Sequence, residues 1–524
     1  MKNFNINLKD NGQWDTLEKR WEFCIGSCHA ATALRADWQA QMEKCRKELG
    51  IKRVRFHGLF NDDMNVVLKP MFSSVLKLSF TNIDKIFDFL VSIGMQPFVE
   101  LGFMPEAMAS GRATVFHYKG NTTPPADYSK WQWLIEEFLK HIIDRYGRDE
   151  VRQWYFEIWN EPNLGGPDSP YGFWAASKEE YFKLYEITAG TVKSVDSFLK
   201  VGGPATSNNA WIPDMIKFCG ENKAPLDFIS THQYPTDVVL GYGVEDSANF
   251  KNPLDLNDTE KIKRLLSDEK EREKFLEEYG VFQQHLWEHV DRGVWTKMAE
   301  RAVKEAGNYP LYYTEWGSLA GIESDGPFGA SFAVKTMLDG YKLAAGYSLW
   351  AFTDIFEESG QEAPVFHGGF GLLTQQGIPK ASYRAFELMH RLGGEISENI
   401  FRDGTVDGYI MRKEESGAVQ IMVVNHHSLL HEIHDEKIHI ELQGCKKCTA
   451  AQAERIDDKH GNALAAWQKM GAPVYIREKE YYALMSASEI DREGIELTQN
   501  GDTVAFDIEI PAMGLALVTL YFES

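Results

Sequence analysis

The sequence predicts an α/β protein: a (β/α)8 (TIM) barrel followed by an accessory β-sandwich. Three observations carry this reading. Eight short, mostly continuous apolar runs recur between Phe23 and Phe352, as strands buried on both faces require. Amphipathic stretches with capping signals fall between them, the strand–helix alternation of a barrel. Beyond Gly393-Gly394 apolar and polar residues alternate and turns interrupt them, the pattern of a sandwich. No Gly-x-Gly-x-x-Gly turn follows the first run, which disfavours an open dinucleotide-binding sheet.

In order, the runs are Phe23–Cys28, Arg53–Phe60, Pro97–Phe103, Tyr155–Trp159, Lys200–Ala205, Phe228–His232, Leu311–Glu315 and Tyr347–Phe352. Ile83, Ile86, Phe87 and Leu90 have helical spacing, with Asn82 placed to cap the start and Gly94 the end. Ser129 with Gln132, and Ser177 with Glu180, read as capping boxes ahead of two further helices. The charged stretch from Thr236 to Gly307 is too long for an ordinary connection and reads as an elaborated loop after the sixth strand plus an outer helix. Phe4, Ile6 and Leu8 alternate, so residues 1–20 are expected to join the sandwich, with the barrel over 21–394 and the sandwich over 395–524.

The 524 residues carry a net charge of −22, which argues against nucleic acid or an anionic membrane as partner. No apolar run of about 18 residues is present, so no spanning helix is expected. The amino terminus has no secretory stretch, so a cytoplasmic protein is expected. The six cysteines are expected to be reduced thiols. Cys445 and Cys448 have the spacing of half a zinc site, with His426, His427, His431 and His434 nearby. A zinc site needs four converging ligands, so a polar strand and loop is the preferred reading there.

In such a barrel the carboxyl ends of the strands line the active site. Strand two ends at His57, and strand four runs into Trp159-Asn160-Glu161-Pro162. Strand six ends with His232-Gln233-Tyr234-Pro235, strand seven with Thr314-Glu315-Trp316-Gly317, and strand eight with Trp350-Ala351-Phe352-Thr353-Asp354. Glu161 and Glu315 therefore face each other across one pocket lined by Trp, Tyr and His, the equipment for glycoside hydrolysis. The bland reading of a strand-end glutamate is a salt-bridge partner, and that of His232 and Trp350 is packing. The joint placement of two carboxylates favours catalysis.

Trp-Asn-Glu-Pro-Asn at 159–163 and Tyr-Thr-Glu-Trp-Gly at 313–317 resemble the acid/base and nucleophile motifs of the clan A retaining glycosidases. Gly26–Ala30, Arg55–Met64, Pro97–Pro105, Ser230–Pro235 and Asp354–Glu358 resemble glycoside hydrolase family 39, which includes β-xylosidases and α-L-iduronidases. The similarity covers roughly residues 20 to 395. The resemblance implies that Glu161 is the acid/base and Glu315 the nucleophile. It implies that Asn160 holds the 2-hydroxyl and the nucleophile, that His57, His232 and Tyr234 line the sugar pocket, and that Trp350 forms its floor. Glu357 and Glu358 match an acidic pair that binds outer hydroxyls. One stretch departs from the pattern: the loop after Asn163, through Phe173 and Trp174, is longer than in the β-xylosidases, and either ring is placed to supply the aromatic near the acid/base.

The resemblance thus implies a retaining exo-β-xylosidase acting on a small oligosaccharide or glycoside. It needs no metal and no organic cofactor, and a homo-oligomer is in keeping with it. The alternatives are a β-glucosidase, β-galactosidase, arabinopyranosidase or α-L-iduronidase on the same fold, or a noncatalytic sugar-binding protein. The acidic Glu357-Glu358 pair counts against a uronate substrate.

Overall fold

The computed structural model describes residues 1–8, 14–72, 75–167, 169, 172–240 and 258–523. Eight parallel strands close into a barrel: β1 Cys24–His29, β2 Arg53–His57, β3 Gln96–Leu101, β4 Tyr155–Ile158, β5 Lys200–Thr206, β6 Phe228–Gln233, β7 Leu311–Trp316 and β8 Gly346–Leu349. Each coincides with a predicted apolar run. Every strand pairs with its sequence neighbours, and β8 closes on β1.

Inward-pointing side chains fill the barrel in layers. Phe23, Phe98, Tyr155, Phe228 and Tyr312 plug its amino-terminal end with stacked and edge-on rings. Two residues past Phe98 and Tyr155 come Glu100 and Glu157, and two past Arg53, whose guanidinium lies over the Phe23 and Tyr155 rings, comes Arg55; all three are buried. Strands alternate their side chains with a period of two, so the charged layer stands directly above the aromatic plug.

Helix boundaries differ from expectation in two places. Helix Thr81–Ser92 starts a residue earlier than Asn82, whose amide instead donates to the Met64 carbonyl (3.2 Å). Helix Tyr128–Tyr146 is capped by Asp127, not Ser129: the Asp127 carboxylate accepts from the Ser129 N–H (2.9 Å) and hydroxyl (2.6 Å). A carboxylate is the stronger acceptor at a helix amino terminus. Ser177 caps Lys178–Val195 as expected, accepting from the Glu180 N–H. The stretch after β6 holds helices Thr259–Ser267, Glu269–His289 and Val294–Ala306, and its residues 241–257 lie outside the described ones.

The carboxyl-terminal part is a two-sheet sandwich. Strand Lys2–Asn7 pairs in parallel with Glu436–Gln443, with Ile6 opposite Leu442. Glu436–Gln443 pairs antiparallel with Thr503–Ile510. The second sheet is built on Val406–Arg412, Val419–Asn425, Leu515–Phe522 and Cys448–Ile456. Ile410, Ile421, Val423, Ile438, Ile440 and Val518 form the core between them.

Two helices, Ala463–Lys469 and Glu478–Ala487, interrupt the sandwich, where clear helical periods were expected to be few. Leu464, Trp467 and Leu484 pack on Val365, Phe366 and Ile378, in the segment that follows β8. A buried ionic cluster also ties sandwich to barrel. Lys335 meets Asp339 (2.7 Å) on its own helix and Asp407 (3.1 Å) on the sandwich, where Arg292 also pairs with Asp407.

Cys445 and Cys448 do not gather the nearby histidines. Their thiols face the Leu442 and Ala450 carbonyls, and His426 bonds Ser331. No described helix is long and apolar enough to cross a membrane.

Candidate active site

Local backbone irregularities aim the two carboxylates. Past β4 the chain turns sharply, with positive φ at Trp159 (71°) and Glu161 (41°), and the Glu161 N–H is held by the Ala205 carbonyl (2.9 Å). The pairing of β7 slips at Tyr313/Trp316 on one side and opposite Thr231/His232 on the other. Such a bulge re-aims the side chains next to it. Tyr313 stays outside against Trp295 and Tyr347, while Glu315 enters the pocket.

Glu161 and Glu315 are 7% and 5% exposed. One oxygen of each lies within 4.8 Å of the other and of a His232 nitrogen. Among the described residues this is the single group whose ligand atoms converge closely enough to hold a metal ion. The cation that meets Glu315 directly is Arg55.

The surroundings of the two carboxyls differ. Arg55 Nη1 donates to Glu315 Oε1 (2.9 Å), the Tyr234 hydroxyl donates to Oε2 (3.2 Å), and His57 Nε2 lies 3.6 Å away. Burial raises the Glu315 pKa, and Arg55 and then His57 pull it back. Glu161 meets His232 Nδ1 (3.0 Å) and makes no contact with a Lys or Arg among the described residues. Burial, then the Glu315 and Asp237 charges, hold its pKa well above the ordinary carboxyl range. His232 also faces Thr314 Oγ1 (3.1 Å). Burial first, then Arg55 and His57, push its pKa well down, so it is a neutral imidazole.

Arg55 organises the floor. Its guanidinium also donates to Glu157 (2.6 Å) and to Asn160 Oδ1 (2.8 Å), and lies 2.9 Å from Glu100, which in turn holds His57 Nδ1 (2.7 Å). Asn160 Nδ2 is buried and has no hydrogen-bond partner among the described residues. Trp350 lies against His57 (ring centroids 4.6 Å) and over Gly26, where a Cβ would come within 2.5 Å of the indole. Only glycine leaves room for that ring. A cavity of about 230 Å³ opens alongside, sharing Tyr234 and Trp350 and walled by Leu319 and Phe370.

The family model for glycosyl hydrolases family 39 matches residues 4–282 and 283–503. The chain belongs to glycosyl hydrolase family 39. Among its family 39 relatives, a β-xylosidase of Caldicellulosiruptor saccharolyticus is 43% identical over 511 residues, covering 96% of each chain. A β-xylosidase of Geobacillus stearothermophilus is 33% identical over 490 residues, covering 92% of this chain and 88% of its own. The solved structure of a family 39 β-xylosidase from Caulobacter crescentus superimposes with a TM-score of 0.76 at 28% identity, covering 99% of this chain and 100% of the other.

In this family 39 chain His57, Asn160, Glu161, His232, Tyr234, Glu315 and Trp350 gather at one place, as their strand-end positions predicted. The acidic pair divides. Glu358 faces the carboxylate site, where burial and the Glu315 charge push its pKa well up. Glu357 turns away toward His29 (3.8 Å) and Arg35 (3.7 Å). In the long loop, Trp174 is buried, bonded to the Ser177 carbonyl and packed on Trp159. Phe173 is the ring at the pocket, 5.3 Å from Phe116 and 6.3 Å from His57. Asp168, Pro170 and Tyr171 of that loop lie outside the described residues.

Sequence reasoning assigned no role to Arg55, Glu100 and Glu157. A signal for them was available: each is a charged residue inside a buried barrel strand, at the alternating positions that point inward.

Proposed function

We propose that this chain is a retaining exo-glycosidase that releases terminal β-D-xylosyl residues, with Glu161 as general acid/base and Glu315 as nucleophile. The observation that carries the reading is the unequal pair. Two carboxyls whose environments push their pKa values apart supply an acid and a base from one residue type. Burial raises Glu315 too, but Arg55 and His57 offset it, so Glu315 is the one that ionises first. Glu161, lacking a cation contact, is the one held protonated.

In the first step Glu161 gives its proton to the glycosidic oxygen while Glu315 attacks the anomeric carbon, forming a glycosyl ester. Glu161, now a carboxylate, takes a proton from the incoming water, which displaces Glu315 and restores both groups. Oxygens within 4.8 Å of each other suit direct attack on a bound sugar, not the carboxyl separation of about 6.5–9.5 Å that leaves space for a water. The free Asn160 Nδ2 donor fits the sugar 2-hydroxyl, whose hydrogen bonds strengthen in the transition state. Glu358 is the acidic residue placed to accept from outer hydroxyls, and Glu357 supports the segment behind it.

Xyloside specificity is supported by the named relatives and by charge. A uronate would meet Glu161, Glu315 and Glu358, while Arg55 and Arg35 are already paired with acids. The test is a panel of nitrophenyl glycosides compared by kcat/KM, with proton NMR of the first-formed sugar. The β-xyloside should exceed the β-glucoside by about 10-fold or more, the worth of excluding one hydroxymethyl group, and the product should first appear as the β-anomer. An inverted first product overturns the mechanism. A β-glucoside or β-galactoside as best substrate overturns the specificity.

A further inference from the structure

A third carboxyl borders the acid/base and has no part in the chemistry above. Asp237 stands on the 3-10 turn Pro235–Leu240 that follows β6, three residues past Tyr234, and is 6% exposed. Its turn is closed by its own N–H to the Tyr234 carbonyl (3.0 Å), and its Oδ2 accepts from the Tyr234 N–H (2.7 Å). In the orientation its surroundings require, the Asn208 amide donates across both oxygens, at 2.9 and 3.1 Å. Both donors are neutral, and no cation contacts this carboxylate among the described residues. A buried carboxylate without a counter-charge projects its field onto neighbours through a low-dielectric wall.

The neighbour is Glu161, which meets His232 at the end of the same strand that leads into the Asp237 turn, and whose N–H is held by the Ala205 carbonyl three residues before Asn208. The groups that face Glu161 are His232 on β6, Glu315 on β7, Arg55 on β2, Glu358 after β8, and Asp237. Of the charges acting on it, Asp237 stands next after Glu315. His232 is neutral and Arg55 is shared among three carboxylates, so little offsets the negative field.

We propose that Asp237 is a positioning residue for the acid/base: its carboxylate, held by Tyr234 and Asn208, keeps the proton on Glu161 as the pH rises, and so extends the working range on the alkaline side. This rests on the assignment of Glu161 as general acid. Burial pushes Asp237 itself up to about 7, so its charge, and with it the hold on the Glu161 proton, is present toward the alkaline end of the range. Whichever loses its proton first makes the other harder to ionise.

The experiment is the pH dependence of kcat/KM for p-nitrophenyl β-xyloside with wild type and Asp237→Asn. The substitution keeps the shape and an acceptor for the Tyr234 N–H but removes the charge. The alkaline limb should move down by about one pH unit, a roughly 10-fold loss on that limb, while the acid limb, set by Glu315, moves less. Asn208→Gly, which the positive φ of 61° accepts, removes one donor and should move the limb the same way by less. A 2,4-dinitrophenyl xyloside separates tuning from structure. Its leaving group needs little protonation, so the shift should shrink or vanish with that substrate.

An alkaline limb unmoved in both variants, or moved equally with both leaving groups, overturns the proposal. Wild-type enzyme inert on every aryl glycoside would instead overturn the functional reading beneath it.

Discussion

Replacing Arg55 with lysine should move the acid side of the activity profile. Lysine keeps a positive charge but exchanges a planar fork for a single point. Arg55 serves Glu157 at 2.6 Å, Asn160 at 2.8 Å, and Glu100 and Glu315 at 2.9 Å. One ammonium on a shorter reach cannot meet all four, and Glu157 and Glu100, deeper in the barrel, are the partners it would keep. The bond to Glu315 is charge-assisted and worth about 1.5–3 kcal/mol.

That interaction pulls the Glu315 pKa down against burial, and the attacking form is the ionised one. Without the pull the pKa rises, so activity is lost from the acid side first. At 1.36 kcal/mol per pH unit, the acid limb of kcat/KM should climb by about 1–2 units. The assay is kcat/KM for an aryl β-xyloside across pH, with a thermal midpoint measured in parallel. Breaking a buried pair outright costs about 3–5 kcal/mol, and lysine should lose only part of that. A folded Arg55→Lys enzyme with an unmoved acid limb would refute the idea that Arg55 holds Glu315 ionised.

Three further outcomes are expected. Azide should rescue Glu161→Ala with retained configuration and Glu315→Ala with inverted configuration, since the anion attacks the glycosyl ester without a base in one and takes the place of the missing carboxylate nucleophile in the other; NMR of the glycosyl azides reads this, and swapped patterns would reverse the roles. Glu358→Gln should lower kcat/KM on the β-xyloside by about 10-fold or more through a lost charge-assisted hydrogen bond, and Glu357→Gln by much less; the opposite order would exchange their places. Asp407→Asn removes the sandwich's share of the ionic cluster with Lys335 and Arg292 and should destabilise the protein by about 3 kcal/mol, read as a lower denaturant midpoint; an unchanged midpoint would mean the sandwich docks on its apolar contacts alone.

The eight barrel strands and both carboxylates were legible in the amino-acid order because each depends on a local pattern. A strand buried on both faces must be apolar throughout, and a barrel puts its chemistry at strand ends, so Glu161 and Glu315 could be located from Tyr155–Ile158 and Leu311–Trp316 alone. The alternation of Phe4, Ile6 and Leu8 likewise showed a half-buried strand. What could not be read locally needed a direction or a partner. Arg55 looks the same in sequence whether it points out to water or in to Glu157, Glu315 and Asn160. Glu357 and Glu358 are adjacent in a segment with no period, and only the packing turned one to Arg35 and the other to the pocket. Phe173 and Trp174 divided the same way. Asp127 displaced Ser129 as a cap because it was the better acceptor at the same helix end. Asp237 became a charge beside the acid/base through the turn that follows β6. Periodicity records which face of an element is buried, whereas hydrogen-bond partners and electric fields depend on residues up to hundreds of positions apart, and only the closed barrel brings those within a few ångströms.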